Sequence, residues 1–313
     1  MVGTFLPPDL KDKPKVSEIY DGLAEKIRDK LIGYSLACTY QEKEDASPKP
    51  RSLDSKEAIK AFLTAKDFYN YRNFQLDKSN TQPPPASNDD LTLDSLFAYS
   101  RLTLKNRHTI LLAMDVPVCP YCNMNYTSDY ERNGEHRTTA DLDHFYIKSK
   151  YPEYALCLYN FVPSCPVCNS RLKLDKSMTR ETHVFPHEES FTGKARFEIS
   201  NLCALYCKGP GRARADLDLV IQAPTDQEQK RVKASEQVFE LRSRYQAARS
   251  EAEELLEKAI TYNDTYAAEL SKLTPGVADV KQLVFGAELT EREAARKSLG
   301  KLKADLLKQF GVY

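Results

Sequence analysis

The sequence predicts an α+β fold that is mostly helical, with a small metal-binding core embedded between helical N- and C-terminal extensions. Three observations lead to this prediction. Apolar residues recur at helical spacing near both ends, the centre consists of short turn-rich segments, and two C-x-x-C pairs bracket that centre. The chain has 313 residues, enough for one large or two ordinary domains. We divide it into four regions, at 1–110, 111–190, 191–223 and 224–313.

The first region, 1–110, is predicted to be helical. In "VSEIYDGLAEKIRDKLIG", Ile19, Leu23 and Ile27 follow one another at four-residue spacing, which is typical of one helix face. Further helices are predicted from Ser55 over "SKEAIKAFLTAKDFYNYRNFQL" and over "LTLDSLFAYSRLTLKNRHTILLAM". Between them, "DKSNTQPPPASNDD" predicts a linker or exposed loop, because consecutive prolines interrupt regular structure.

The last two regions are predicted to contain strands and then long helices. "ARFEIS" and "DLDLVIQA" are strand-like runs within 191–223. A capping box at Thr225 starts a long helix with a heptad seam, and Pro275-Gly276 ends it. Ala and Tyr are poor seam residues, so the seam favours packing against the protein's own helices over dimerisation. A second capping box, at Thr290, starts the last helix.

Composition limits the possible partners and compartment. Lys+Arg and Asp+Glu both number 45, so a nucleic-acid partner must be held by a local basic patch rather than by the net charge. No run reaches the eighteen or so apolar residues of a membrane span, and "MVGTFLPPDLKDKPK" lacks the apolar core of a signal peptide. We therefore expect a cytoplasmic protein without a membrane partner, whose cysteines are thiols or metal ligands rather than disulfides.

The two C-x-x-C pairs allow a redox or a metal interpretation. Cys119 and Cys122 stand in CPYC, which is also a glutaredoxin dithiol, and a redox centre there would need a helix starting at the first cysteine. The following "NMNYTSDYERNGEH" makes a poor helix. The second pair, Cys165 and Cys168, supplies the two further thiolates that complete a tetrahedral shell. Four thiolates in two pairs favour a structural zinc ion (Zn²⁺).

The segment between and beside the pairs, "TTADLDHFYIKSKYPEYALCLYNFVPSCPVCNSRLK", resembles the HNH endonucleases. That superfamily has a ββα-metal fold, with an Asp-His on the first strand, an Asn in the following loop and a metal-binding Asn or His at the start of the helix. The matching positions are Asp143, His144, Asn160 and Asn169, and the resemblance covers residues 119–176.

The resemblance implies a nuclease that hydrolyses phosphodiester bonds with Mg²⁺ or Mn²⁺. His144 would be the general base, because a neutral imidazole titrates near working pH. Asp143 and Asn169 would bind the catalytic divalent ion through hard oxygen ligands. Asn160 would not bind metal but would hold the loop and orient His144. Asp141 is expected to be solvated.

Basic residues follow the second cysteine pair. Arg171, Lys173 and Lys176 are expected to approach the phosphates of a nucleic acid, with DNA favoured over RNA, although such a run is also typical of a solvated face.

Two broader hypotheses remain open. A core bounded by cysteine pairs, with helical extensions, is similar in organisation to the HNH subunits that accompany ABC-type ATPases in Septu-type bacterial anti-phage defence systems. That similarity implies an ABC-type ATPase partner that gates the nuclease. The alternative is a non-catalytic zinc-binding module that binds nucleic acid or serves as an adaptor. A zinc-dependent nucleobase deaminase is disfavoured, because its H-x-E signature occurs here at His187, after the cysteines.

Overall fold

The N-terminal region packs helices against a small antiparallel sheet. The computed structural model describes residues 1–43, 50–78, 91–208, 214–273 and 280–313, so most of the predicted linker and the predicted break at Pro275-Gly276 lie outside the described residues. The elements of this region are α1 (Pro14–Gly33), β1 (Leu36–Glu42), β2 (Arg51–Ser52), α2 (Lys56–Leu63), β3 (Tyr71–Lys78), α3 (Leu93–Leu96) and α4 (Leu104–Met114). The sheet order is β2-β1-β3.

The sheet corrects the expectation of a wholly helical N-terminal region. The helix predicted from Ser55 begins there, where the Ser55 side chain accepts a hydrogen bond from the Ala58 amide at 3.1 Å, but it ends at Leu63. The last six residues of the predicted helix, from Tyr71 onward, lie in β3. Its Tyr71 and Phe74 rings pack on Phe62, each with centroids 5.1 Å from the Phe62 centroid. Pairing with the distant β1 decides the strand, and helical spacing does not reveal such pairing.

The central region consists of two hairpins and a short helix. Its elements are β4 (Asp129–Arg132), β5 (Glu135–Thr138), β6 (Asp141–His144), β7 (Phe161–Ser164) and a π-helix (Val167–Lys173). Strand β6 pairs antiparallel with β7, and the π-helix follows β7 after two residues. A strand hairpin followed by a helix therefore carries the residues that the sequence singled out.

The C-terminal half contains a further antiparallel strand pair and several short helices. Its elements are β8 (Ala195–Ile199), α5 (Leu202–Lys208), β9 (Leu217–Ile221), α6 (Asp226–Phe239), α7 (Leu241–Arg244), α8 (Arg249–Thr261), α9 (Asp264–Leu273), α10 (Val280–Phe285), α11 (Glu291–Ala295) and α12 (Gly300–Gln309). The two predicted strands pair antiparallel, and the predicted N-caps Thr225 and Thr290 both begin helices.

The long helix predicted from Thr225 is interrupted. Glu240 adopts a left-handed conformation with φ 49°, which ends α6. The break lets Tyr245 stack on Phe197, with ring centroids 3.9 Å apart, and donate its hydroxyl proton to the Cys122 carbonyl oxygen at 2.7 Å. Tyr245 of the predicted seam therefore packs within the chain, on the cysteine region, and the seam does not follow one continuous helix.

One hydrophobic cluster extends through all four regions. It includes Leu23 of α1, Phe185, Phe197 of β8 and Leu306 of α12. The helical extensions and the central hairpin thus contribute residues to the same hydrophobic cluster. Within the described part of the chain, no helix combines the length and apolarity that crossing a membrane requires.

Candidate functional site

The four cysteines of the two pairs converge. The sulfurs of Cys119, Cys122, Cys165 and Cys168 all lie within 4.8 Å of one another, and all four residues are buried. A tetrahedral zinc ion with Zn–S bonds of about 2.3 Å needs sulfurs about 3.8 Å apart. The Cys122–Cys165 separation of 4.0 Å is close to that value. The cluster could therefore hold a structural zinc ion.

Hydrogen-bond donors surround these sulfurs, as thiolate ligands require. The Asn125 side-chain amide donates to Cys165 Sγ at 3.2 Å, and the Met124 backbone amide donates to Cys122 Sγ at 3.5 Å. The Arg244 guanidinium donates to Cys168 Sγ at 3.5 Å. A positive charge beside four thiolates offsets the excess negative charge of a zinc–thiolate centre, and such contacts orient the ligands.

The redox interpretation of CPYC lacks its structural requirement. Cys119 and Cys122 are at most 1% exposed, and residues 120–122 form a turn rather than the first turn of a helix. A reactive dithiol needs an accessible sulfur at a helix N-terminus. The other cysteine pair, Cys203 and Cys207, is exposed on α5 and lies outside the cluster.

Asp143 and Lys173 form a buried ion pair. Lys173 Nζ lies 2.9 Å from Asp143 Oδ1 and donates to the His144 carbonyl oxygen at 2.6 Å. The Tyr121 hydroxyl donates to Asp143 Oδ2 at 2.6 Å. Lys173 was expected to contact phosphate, but its side chain is 1% exposed, so that expectation is wrong for this structure. Both oxygens of the predicted metal ligand Asp143 already accept hydrogen bonds.

Asp141, rather than Asp143, lies beside Asn169. Both aspartates are on the face of β6 that meets the π-helix, because residues two apart on a strand share a face. Asp141 Oδ2 accepts hydrogen bonds from Asn169 Nδ2 at 3.0 Å and from Ser170 Oγ at 3.1 Å. A carboxylate oxygen only accepts, so the amide nitrogen of Asn169 faces Asp141, and its Oδ1 faces away. Asp141 is half-buried and partnered, not merely solvated.

A further polar atom near Asp141 lacks a partner. Ser164 stands opposite Asp141 in the β6–β7 register, so the two side chains share a face. The Ser164 hydroxyl is buried and makes no hydrogen bond within the described residues. Asp141 and Ser164 thus bring oxygen atoms to one place, and rotation of the Asn169 amide would add its Oδ1. Oxygen atoms are the donors that Mg²⁺ and Mn²⁺ prefer.

His144 has a defined tautomer. Its Nε2 lies 2.9 Å from the Ala155 carbonyl oxygen, which can only accept, so Nε2 carries the proton and Nδ1 is the acceptor. Nδ1 makes no hydrogen bond to a described residue. Burial lowers the pKa of His144 from 6.5 to about 4, against the opposing effects of the Ala155 bond and the Asp143 charge. The imidazole is therefore neutral near pH 7.

Asn160 holds the loop around His144. It is fully buried, and its Oδ1 accepts from the Tyr146 amide at 2.8 Å. Its Nδ2 donates to the carbonyl oxygens of Tyr146 and Tyr154, both at 3.0 Å. Tyr154 immediately precedes Ala155, the residue that bonds His144. These contacts hold the backbone on either side of the bond between His144 and Ala155, and the role of Asn160 in orienting His144 stays a prediction.

The remaining predicted residues are exposed or lie elsewhere. Arg171, on the π-helix, and Lys176, just after it, are exposed and have no ion pair among the described residues. His187, the first residue of the deaminase-like H-x-E, lies between Thr4 and the Phe161 carbonyl oxygen, away from the cysteine sulfurs.

Sequence reasoning missed the residues that join these parts. Tyr121 and Arg244 reach the site from a turn and from a distant helix, so no spacing in the chain indicates their roles.

Comparisons of the chain with protein-family models, with curated proteins and with solved structures find no match.

Proposed function

We propose that the protein is a metal-dependent endonuclease of the HNH type that hydrolyses phosphodiester bonds in nucleic acid, with DNA the favoured substrate. The observation that carries the proposal is the environment of His144. A neutral imidazole with a fixed acceptor nitrogen lies on the same short strand as two carboxylates, beside a helix that carries Asn169.

His144 would act as the general base. With Nε2 bonded to Ala155, Nδ1 can accept a proton from the water that attacks phosphorus. The resulting imidazolium would be stabilised by the Asp143 charge, which already acts to raise the pKa of His144. Asn160 keeps the acceptor nitrogen in place by fixing the backbone on both sides of this bond.

Asp141 and Asn169 would hold the divalent ion once the Asn169 side-chain amide has rotated, so that its Oδ1 rather than its Nδ2 faces Asp141. This assignment replaces Asp143 by Asp141, because Asp141 is the carboxylate in contact with Asn169 while Asp143 is paired with Lys173. When bound, Mg²⁺ or Mn²⁺ stabilises negative charge on the leaving oxygen. An amide ligand contributes no further negative charge that would repel the phosphate.

Plasmid cleavage with matched variants tests the proposal. We expect the zinc-containing wild type to cleave plasmid DNA with Mg²⁺ or Mn²⁺ and to stop in EDTA, and His144→Ala to lose at least about a hundredfold in rate. His183→Ala is the control, because His183 bonds its neighbour Thr182 rather than any residue of the site. Asp141→Asn should raise the metal concentration needed for cleavage. Cleavage by His144→Ala at the wild-type rate would rule out the mechanism.

A non-catalytic module is the second candidate, and the buried Asp143–Lys173 pair favours it. Such a pair can serve the fold alone by joining β6 to the π-helix. The module would bind DNA without cleaving it under any of these metal conditions, so the plasmid assay separates the two candidates.

The ABC-type ATPase partner and the role in anti-phage defence stay predictions. They rest only on the similarity in organisation between this chain and the HNH subunits of Septu-type systems. Co-expression with the products of neighbouring genes, followed by size-exclusion chromatography, tests them. Elution of the chain strictly alone would count against a stable partner.

A further inference from the structure

Two cations meet the same aromatic ring beside His144. The Tyr99 ring packs edge-on against the imidazole, with centroids 4.6 Å apart. The guanidinium carbon of Arg107 lies 3.9 Å from the Tyr99 ring centroid, and Lys148 Nζ lies 5.1 Å from it. Tyr99, Arg107 and Lys148 are called the Tyr99 cluster below.

Neither cation of the Tyr99 cluster has a carboxylate partner among the described residues. Arg107 has five N–H groups, and only one hydrogen bond, from Nη2 to the Tyr99 carbonyl oxygen at 3.3 Å, uses them; its Nε is buried and unpartnered. Lys148 is exposed and makes no hydrogen bond or ion pair to a described residue. Four of the five N–H groups of Arg107 therefore have no acceptor among the described residues, and a ligand can supply one to those on the two Nη atoms.

The cluster also lies within electrostatic reach of the proposed metal ligands. The pKa of the Tyr99 phenol is raised mainly by burial; Arg107 opposes this shift, and the charges of Asp141 and Asp143 add to it. The same ring therefore lies near His144, near the two carboxylates of β6 and near two unpaired cations. Carboxylates and basic side chains near one ring and near an imidazole are the combination expected where a phosphate lies between a metal ion and basic side chains.

We propose that Arg107 and Lys148 bind a backbone phosphate of DNA next to the bond that His144 acts on. This inference rests on the proposed nuclease function and assigns to it a substrate contact from the N-terminal extension. The planar guanidinium, stacked on Tyr99, offers a pre-oriented pair of donors to phosphate oxygens, and Lys148 adds a mobile point charge. In a chain of zero net charge, such a local site is what can hold DNA.

The assignment gives the N-terminal region a part in the site. Tyr99 precedes α4 and Arg107 lies within it, whereas Lys148 and His144 belong to the central region. The phosphate would thus bridge two regions that already share a core.

DNA binding as a function of salt tests the proposal. The probe is a fluorescein-labelled 20-base-pair duplex, bound by the zinc-containing full chain with Ca²⁺ in place of Mg²⁺ to prevent cleavage, and followed by anisotropy. We expect Lys148→Ala and Arg107→Gln each to weaken binding about five- to tenfold at low salt and to lower the slope of log K against log salt by about 1. Lys148→Arg should restore the slope.

Controls separate binding from folding. Lys233→Ala removes an exposed cation of α6 that has no contact with Tyr99, and it should bind DNA like the wild type. Lys148 is exposed, so its variants should unfold at the wild-type temperature, which makes a binding defect local. Lys148→Arg keeps the charge and should keep most of the affinity. Arg107→Lys keeps the charge but loses the paired donors, so it should bind more weakly than the wild type and more tightly than Arg107→Gln.

The outcomes distinguish this proposal from the proposed function. If Lys148→Ala and Arg107→Gln show the same slope of log K against log salt as Lys233→Ala, the phosphate site is overturned, even when the wild type cleaves DNA. If both variants lose affinity and slope while the wild type fails to cleave, the phosphate site stands and the nuclease proposal fails. Absence of any salt-dependent binding by the wild type overturns the phosphate site.

Discussion

At the scale of single residues, Lys173 shows that a lysine in a basic run can be buried and paired within the fold. A lysine in a basic run after a cysteine pair is expected at a phosphate, yet this one turns inward to Asp143. The ammonium also donates to the His144 carbonyl oxygen, so the residue links the π-helix to the middle of β6. The charge run in the sequence cannot indicate which of its members turns inward, because that depends on where Asp143 lies in space.

Removing one member of this pair should be strongly destabilising. We expect Lys173→Met to lower the free energy of unfolding by about 3–5 kcal/mol, because it leaves a buried carboxylate without its cation. The double variant Lys173→Met/Asp143→Leu should recover part of that loss. Urea unfolding measures both. Lys176→Met, an exposed neighbour, is the control, and a Lys173→Met variant as stable as that control would contradict the buried pair.

At the scale of elements, the junction between α11 and α12 connects the C-terminus to the first cysteine pair. Asn123, the residue after Cys122, donates to the carbonyl oxygens of Ala294 at 3.2 Å and Lys297 at 3.1 Å. Its Oδ1 accepts from the Lys301 amide at 2.9 Å. The capping box at Thr290 could be predicted from the sequence. The interruption between α11 and α12 could not, because it is bonded by Asn123, which is distant along the chain.

Two glycines at helical positions should respond oppositely to alanine. A Cβ at Gly300 would lie 2.2 Å from the Ala294 carbonyl oxygen, whereas a Cβ at Gly22 in α1 meets nothing within 4 Å. We expect Gly300→Ala to lower stability by about 1–3 kcal/mol through overpacking. Gly22→Ala should raise stability by about 0.5–1 kcal/mol, because alanine restricts the unfolded chain. Thermal unfolding of both variants checks this, and equal shifts would contradict the close packing at the junction.

The N-terminal segment is held by a histidine that should make stability depend on pH. His187 Nε2 donates to the Phe161 carbonyl oxygen, and its Nδ1 accepts from Thr4 Oγ1, each at 2.7 Å. Burial lowers the pKa of His187 from 6.5 to about 4. Between pH 6.5 and about pH 4, the His187 side chain takes up a proton in the unfolded chain but not in the folded chain. The contribution of neutral His187 to the free energy of unfolding is therefore full above pH 6.5 and is lost as the pH falls towards about 4.

A variant isolates this contribution. His187→Gln lacks the titrating group, so its stability deficit relative to wild type should be largest near pH 7.5 and should shrink at about pH 5. Urea unfolding at both values measures the deficit. A deficit that stays constant between them would show that His187 titrates alike in the folded and unfolded chains.

At the scale of the whole molecule, three of the four regions meet at the cysteine cluster. The Val2 amide donates to the Pro120 carbonyl oxygen at 2.9 Å, and Tyr245 and Arg244 reach Cys122 and Cys168 from the C-terminal region. A zinc ion there would therefore hold together segments from the start, centre and end of the fold. Binding energy at such a site is folding energy.

Loss of zinc should unfold the core rather than only reduce activity. We expect about one tightly bound zinc per chain, and Cys165→Ser should lose both the metal and the near-ultraviolet circular dichroism of packed aromatic rings. Cys203→Ser, an exposed cysteine outside the cluster, should retain both. Metal analysis and circular dichroism are the measurements. A Cys165→Ser variant with wild-type spectra would show that the folded core does not depend on a bound metal ion.

The features that could be predicted from the sequence are those formed by residues close together in the chain. The two cysteine pairs, the Asp-His strand and Asn169 were identified because each motif is a short run with its own chemistry. The partners that define their roles, such as Tyr99 and Tyr121, come from turns whose position depends on the whole fold. The choice between Asp141 and Asp143 beside Asn169 likewise depends on the register of β6 against the π-helix.

The most direct test of the account is cleavage of plasmid DNA by zinc-replete His144→Ala compared with zinc-replete wild type, in Mg²⁺ and at equal protein concentration. Metal analysis and circular dichroism of the same samples establish that the fold and the zinc are intact. The account predicts that the wild type cleaves, and that His144→Ala is at least about a hundredfold slower while still binding DNA. Equal cleavage by the two proteins, or none by the wild type with either Mg²⁺ or Mn²⁺, would contradict it.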